Sequence, residues 1–287
     1  LAFLAGVEAK KLTGKPLVVH VHATEFDRSG EHVDQRIYDI EKYGMEQADL
    51  VVAVSNYTKQ IIISRYGIPE SKIEVVWNGI EERDYPEIEN PYNNIIKLKD
   101  AGYKVVLFVG RITMQKGADY FLQAAKRVLE CQDKVIFIIA GAGDMEHQII
   151  QQAAHLQISD KVMFTGFLRG DDLTRMYRTA DLFVLSSVSE PFGITPLESL
   201  INGTPVLVSK QSGISEALTH ALKADFWDID DMADKILGVV VNMSLKQCLG
   251  DNGKLDAKRL SWSEAAKKVS HLYERLVTGF KPAITVT

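Results

Sequence analysis

Cysteine is nearly absent from this chain, with Cys131 and Cys248 the two thiols among 287 residues. They lie far apart and without metal-ligand spacing, so neither a disulfide framework nor a zinc site is indicated. Long apolar runs are missing too. No stretch approaches the roughly 20 residues needed to cross a bilayer. The opening LAFLAGVEAKKLTGK carries its basic residues after its apolar stretch, the reverse of a signal peptide's order, and reads as a helix ended by Gly14 and Pro16. Positive charge is not in excess either. A net charge of -5 and a pI near 5.9 leave no broad basic footprint for nucleic acid, although a local basic patch stays open. No initiator Met opens the chain, and its first residues read as the inside of a structural unit, so upstream sequence is expected. What is left, 46% hydrophobic and 25% charged residues, can bury a sizeable core and is long enough for two domains. A soluble cytoplasmic enzyme is the expectation.

Short β-branched runs alternate with helical stretches along the chain. PLVVHVHA (16–23), DLVVAVS (49–55) and IEVVWNG (73–79) are separated by helices near 36–47 and 56–66. A polar segment with two prolines, 81–94, reads as an interdomain linker. A second series then begins: VVLFVG (105–110), VIFIIAG (135–141), VMFTG (162–166), DLFVLSS (181–187) and TPVLVS (204–209). Its helices fall near 118–130, 145–156 and 171–179, from Pro196, and around 263–277. This alternation predicts two doubly wound, parallel-sheet (Rossmann-like) α/β domains facing a cleft, the N-terminal one incomplete. The boundaries are 1–95 and 96–262, with 263–287 a helix returning toward the first domain. In such sheets ligands sit beyond the carboxyl ends of the strands, so the loops there are searched for chemistry.

Three loops stand out. In SEPFGITPLESLING (189–203), Thr195 as N-cap, Pro196 in the first turn and Glu198 three residues later make a capping box. Glu198 is then either simply a cap or part of a site. In the second case Gly193 lets the backbone approach a ligand, and the N–H groups at the helix start favour a pyrophosphate. GRITMQKG (110–117) directly follows a strand and carries Arg111 and Lys116, which are either solvated surface or cations aimed at a diphosphate. This loop holds neither G-x-G-x-x-G nor G-x-x-x-x-G-K-[S/T], and the dinucleotide fingerprint is missing after every other predicted strand, which disfavours a Rossmann dehydrogenase. GAGD (141–144) is a tight turn that any α/β unit can require.

The ordered set VGRITMQKG, IIAGAGD, VMFTGFL, ADLFVLSSVSEPFGITPLESLINGTPVLVS and SGISEAL resembles the donor domain of the family 4 retaining glycosyltransferases, of the GT-B type, densely over residues 100–220. The pair Glu190 and Glu198, spaced E-x7-E, is its most specific element. HVHATEFDR, ADLVVAVSNYTKQ and VVWNGIE agree more loosely, and ATEFDRSG with RIYDIEKYG is most similar to the glycogen-synthase-like members. The family's usual opening strand and Gly-rich loop have no counterpart in this sequence. The resemblance implies that Glu198 holds the nucleotide ribose and that Glu190 contacts the donor sugar and stabilises positive charge on its ring. It places Arg111 and Lys116 on the diphosphate beside the N–H groups of Gly193, Ile194 and Thr195. Phe167 and Leu168 would border the base. His22, which taken alone fits a structural histidine equally well, would reach the donor sugar from the other domain.

The expected reaction is retaining transfer of a hexosyl group, glucosyl by preference, from ADP-glucose or UDP-glucose to a glycan acceptor such as an α-glucan. It uses no metal or further cofactor, because Arg111, Lys116 and a helix start stabilise the leaving charge. The resemblance implies that the acceptor hydroxyl attacks on the face that the diphosphate leaves, with a leaving-group oxygen taking the proton, so that no enzyme nucleophile is required. Two alternatives stay open: a transferase acting on a lipid-linked or surface glycan, and a non-catalytic module that binds nucleotide sugar.

Overall fold

The computed structural model describes residues 2–86, 88 and 92–279. Its elements open with α1 (Ala2–Thr13), β1 (Val18–Val21), α2 (Glu25–Ser29), α3 (Gln35–Gln47), β2 (Leu50–Ala53), α4 (Asn56–Tyr66) and β3 (Ile73–Val75). They continue with α5 (Asn93–Asp100), β4 (Lys104–Val109), α6 (Ala118–Cys131), β5 (Val135–Ala140), α7 (Glu146–His155), β6 (Val162–Gly166), α8 (Gly170–Thr179) and β7 (Leu182–Leu185). The rest are α9 (Thr195–Ile201), β8 (Val206–Ser209), α10 (Ile214–Ala217), β9 (Leu222–Ala224), α11 (Ile229–Val241), α12 (Met243–Arg259) and α13 (Trp262–Gly279). They form two compact units. One combines the residues up to Gly79 with those from Trp262 onward, and the other is Ile80–Ser261.

In the first unit a parallel sheet runs β1-β2-β3. All four residues of the central strand β2, LVVA, are buried, as two covered faces require. Ser55 starts α4 by accepting a hydrogen bond from the Thr58 N–H at 3.0 Å, and Gly67, in the left-handed region at φ 70°, ends it. Between these caps α4 turns Ile62 and Tyr66 onto a core shared with Met45 of α3 and Val51 and Ala53 of β2. α13 contributes Leu272 to a second cluster with Leu50, Val52 and Val76.

The second unit has a six-stranded parallel sheet in the order β6-β5-β4-β7-β8-β9. The chain adds β5 and β6 on one side of β4, then returns to place β7, β8 and β9 on the other. β4 and β7 are therefore neighbours, in the register Val106↔Leu182 and Leu107↔Phe183, whose following connections diverge. Such a reversal opens a crevice at the carboxyl ends of the two strands. α6 packs Phe121, Leu122, Ala125 and Val128 against Phe108, Phe137 and Ile139, with the Phe121 and Phe137 rings edge to face at 5.6 Å.

Two expectations change. Residues 87 and 89–91 of the segment 81–94 lie outside the described residues, but the rest packs on the second unit rather than spanning as a linker. Glu82–Asp84 forms a 3₁₀ turn, Glu82 pairs with Lys258 at 2.9 Å, and α5 begins at Asn93. Between Ser209 and Ser263, where no helix was expected, the chain builds α10, α11 and α12.

Candidate active site

The loop after β4 is shaped by the strand beside it. Gly117, in the left-handed region at φ 67°, sits so close to β7's continuation that an added Cβ would stand 2.1 Å from the Ser186 carbonyl oxygen. The Ser186 hydroxyl donates to the Gly117 carbonyl at 2.8 Å, and the Val188 N–H donates to the Gln115 carbonyl at 2.9 Å. The loops following β4 and β7 are thus zipped together, which fixes where Lys116 points. Its side chain passes Gly110, where a Cβ would lie 3.9 Å from the Lys116 Cδ, and its ammonium rests on the Glu190 carboxylate.

Glu190 is 8% exposed and is held at both ends of its peptide unit. Its N–H donates to the Gln211 carbonyl at 3.0 Å, and its carbonyl accepts from the Gly213 N–H at 2.9 Å. Gly193 has φ 98°, and a Cβ there would meet the Glu190 Cγ at 3.2 Å, so only glycine keeps this turn and the carboxylate together. Arg111 is exposed and makes no ion pair among the described residues.

Glu198 does not act as a cap. The helix begins one residue earlier than a Thr195 N-cap requires: Ile194 is already helical at φ -81°, ψ -33°, and no side chain caps it. The Glu198 carboxylate is engaged elsewhere, accepting from the Tyr85 hydroxyl on Oε1 at 3.0 Å and from the Tyr177 hydroxyl on Oε2 at 2.9 Å. Burial first, and the Glu198 charge second, raise both phenols above their ordinary range, so both remain donors at neutral pH.

A pocket of about 330 Å³ opens at the crevice. Its walls include Gly110 and Arg111 after β4, Gly141 after β5, Leu168 and Leu173 of the β6–α8 region, and Thr195 at the start of α9. Phe167 borders it and is 74% exposed. One side of the opening is therefore apolar and the other carries a cation and the first N–H groups of α9, which have no intrahelical acceptors. Such a site fits a ligand with a flat apolar end and an anionic end. Of the residues singled out in sequence, Arg111, Lys116, Glu190, Gly193, Ile194, Thr195, Glu198 and Leu168 all lie in the second unit. His22 lies in the first, just past β1, its ring centroid 4.4 Å from that of His20. Desolvation lowers its pKa below the ordinary imidazole value.

Comparison with known families bears on this arrangement directly. The model of the glycosyl transferases group 1 matches residues 93–256, and that of glycosyltransferase family 4 matches residues 1–83. The chain belongs to the group 1 glycosyl transferases. It is 31% identical to an uncharacterized glycosyltransferase of Methanocaldococcus jannaschii over 96% of this chain and 73% of that one. To the mannosylfructose-phosphate synthase of Agrobacterium fabrum it is 29% identical over 79% of this chain, and it spans 53% of that protein. Among solved structures, Anabaena HepE in complex with UDP and glucose matches with a TM-score of 0.81 at 22% identity, over 95% of this chain and 75% of that one. Sucrose-phosphate synthase from Thermosynechococcus elongatus matches with 0.79 at 20% identity, over 97% and 73%. These likenesses show the GT-B fold.

Sequence reasoning missed two residues that hold Glu198 beside the crevice, Tyr85 and Tyr177. Tyr177 sits in a helical stretch in which no local pattern singles it out, and Tyr85 lies in a polar stretch with no apolar period. A buried tyrosine usually needs a partner for its hydroxyl, but nothing local names Glu198 as that partner.

Proposed function

We propose that this chain binds a nucleoside-diphosphate hexose in its second unit and transfers the hexosyl group, with retention, to a glycan acceptor. The observation that carries the reading is the pair of carboxylates at the crevice: Glu190 set against the Lys116 ammonium, and Glu198 held by two phenols beside the pocket. The pocket's apolar side takes the base along Leu168 and Phe167. Glu198 takes the ribose, and Arg111 and Lys116 with the N–H groups of Gly193, Ile194 and Thr195 take the diphosphate. Glu190 faces the sugar. As the glycosidic bond breaks, negative charge grows on the diphosphate and positive charge on the ring, and fixed charges on both sides stabilise that separation. Two cations and a helix start supply this without a metal.

Glucose is the favoured sugar, UDP or ADP the favoured carrier, and an α-glucan the favoured acceptor. A lipid acceptor is the second reading, favoured by a relative named alpha-monoglucosyldiacylglycerol synthase, from Streptococcus pneumoniae, 30% identical over 69% of this chain. Incubation with UDP-glucose or ADP-glucose and either glycogen or diacylglycerol vesicles tests both. Release of nucleoside diphosphate that depends on one acceptor, with an α-linked product by NMR, is expected. A β-linked product refutes retention, and binding of neither nucleotide sugar refutes the donor site.

A further inference from the structure

Glu198 receives one hydrogen bond on each carboxylate oxygen, from two tyrosines of different origin. An ionised carboxylate offers about four lone-pair sites, so each oxygen keeps one for a second donor. With both oxygens restrained, the carboxylate cannot rotate, and its free sites are presented as a fixed pair. Tyr177, fully buried in α8, supplies one restraint from the core. Tyr85 supplies the other from the segment that opens the second unit. That segment is itself strapped down: the Arg178 guanidinium donates to the Pro86 carbonyl at 3.0 Å, to the Tyr85 carbonyl at 3.4 Å and to the Asn202 side-chain oxygen at 2.8 Å. Asn202 in turn donates to the Glu198 carbonyl at 2.9 Å. Helical spacing brings the cluster to the pocket. Glu198 lies one turn beyond Thr195, and Tyr177 one turn beyond Leu173, and both Thr195 and Leu173 line the pocket wall.

We propose that Tyr85 is a positioning residue for nucleotide recognition: together with Tyr177 it locks the Glu198 carboxylate so that its two free sites meet the vicinal hydroxyls of a ribose. This rests on Glu198 as the ribose-binding residue of the proposed function. A cis-diol donating to two oxygens of one carboxylate is a bidentate contact, and its strength depends on the carboxylate being held in plane. A carboxylate free to turn would still accept from one hydroxyl but would gain little from the second. The selectivity for ribose over deoxyribose therefore resides partly in Tyr85, which does not touch the nucleotide.

The test is calorimetric titration of the whole chain with UDP, ADP and GDP and with the 2′,3′-dideoxy form of each, for the wild type and for Tyr85→Phe, Tyr177→Phe, Arg178→Ala and Glu198→Ala. Hydrogen bonds to a charged group imply a wild-type preference for the ribonucleotide of about 10²-fold. Tyr85→Phe should cut that preference about tenfold while leaving dideoxynucleotide affinity unchanged. Tyr177→Phe and Arg178→Ala should move it the same way. A Tyr85→Phe protein that keeps the wild-type preference, or that binds both forms equally more weakly, overturns the positioning role. If Glu198→Ala abolishes the preference while Tyr85→Phe does not, the ribose contact stands and the role of Tyr85 falls. A wild type without any preference, or one that binds none of the three nucleotides, overturns the ribose reading of Glu198 and the Tyr85 proposal with it.

Discussion

The Lys116–Glu190 pair gives a quantitative test of how the crevice is built. The two side chains are 22% and 11% exposed, so the pair is neither open to solvent nor sealed. Exposed pairs contribute about 0–1 kcal/mol, whereas removing one partner of a buried pair costs about 3–5 kcal/mol. Lys116→Met strands the less exposed of the two charges and should cost about 3 kcal/mol. Glu190→Gln leaves an ammonium on a flexible stem that can turn to water, and should cost about 1–2 kcal/mol. The double variant strands no charge and is expected at about 2 kcal/mol, which leaves a coupling of roughly 2–3 kcal/mol within the pair. Urea unfolding of the four proteins at pH 7 measures this, provided the slope with denaturant is common to all four. Single costs that add to within about 0.5 kcal/mol would refute the reasoning, because the two groups would then act independently. On the proposed function Lys116→Met also lowers turnover about 10²–10³-fold.

Arg111 offers the contrasting case. Being exposed and without an ion pair among the described residues, it should leave the unfolding midpoint unchanged when replaced by Ala, while turnover of nucleotide sugar falls about 10²–10³-fold. Near-full turnover would remove it from the site. Asp181 lies in the core and accepts from the Val105 N–H at 2.8 Å. Burial pushes its carboxyl up, but Lys99 and Lys246 outweigh that and hold it below the ordinary carboxylate value. A depressed folded-state pKa contributes stability that is complete above the unfolded value, near pH 3.8, and is lost as the pH falls through the folded value. Asp181→Asn should therefore cost about 3 kcal/mol at pH 7, and the gap to wild type should close on acidification below that point. Urea midpoints at pH 7 and pH 3 measure both.

Sequence alone revealed eight of the nine strands among the described residues, most plainly β2, β5, β7 and β8, which are buried throughout and so read as short unbroken apolar runs, whereas β9, LKA, was not expected. VIFIIA, all six residues of which are buried in β5, is the plainest. The loops after them were legible as well, since topology leaves chemistry few other places to sit. α12 was not. Gly250 and Gly253 lower its helical propensity, and the reason for them is tertiary: a Cβ on Gly253 would stand 2.4 Å from the Leu200 Cδ2 of α9. The capping box failed for a similar reason. Its spacing was present in the sequence, but Glu198 is claimed by a tyrosine 113 residues away. Local patterns cannot anticipate a competitor that distant, and so the strap carrying Tyr85 passed for a linker.

The first unit is assembled from two pieces of chain that are far apart, and this has a consequence for biosynthesis. Leu50, Val52 and Val76 are covered by Leu272 of α13, with Ala265 and Val269 packed beside it. At ordinary elongation rates of about 5–20 residues per second, roughly 10–40 s separate the emergence of Val76 from that of Leu272. The continuous second unit, Ile80–Ser261, can close within that interval. The ribosome thus delivers a finished second unit while the first still shows one bare sheet face. During that wait the nascent chain is most exposed to chaperones and to its own neighbours on the same message.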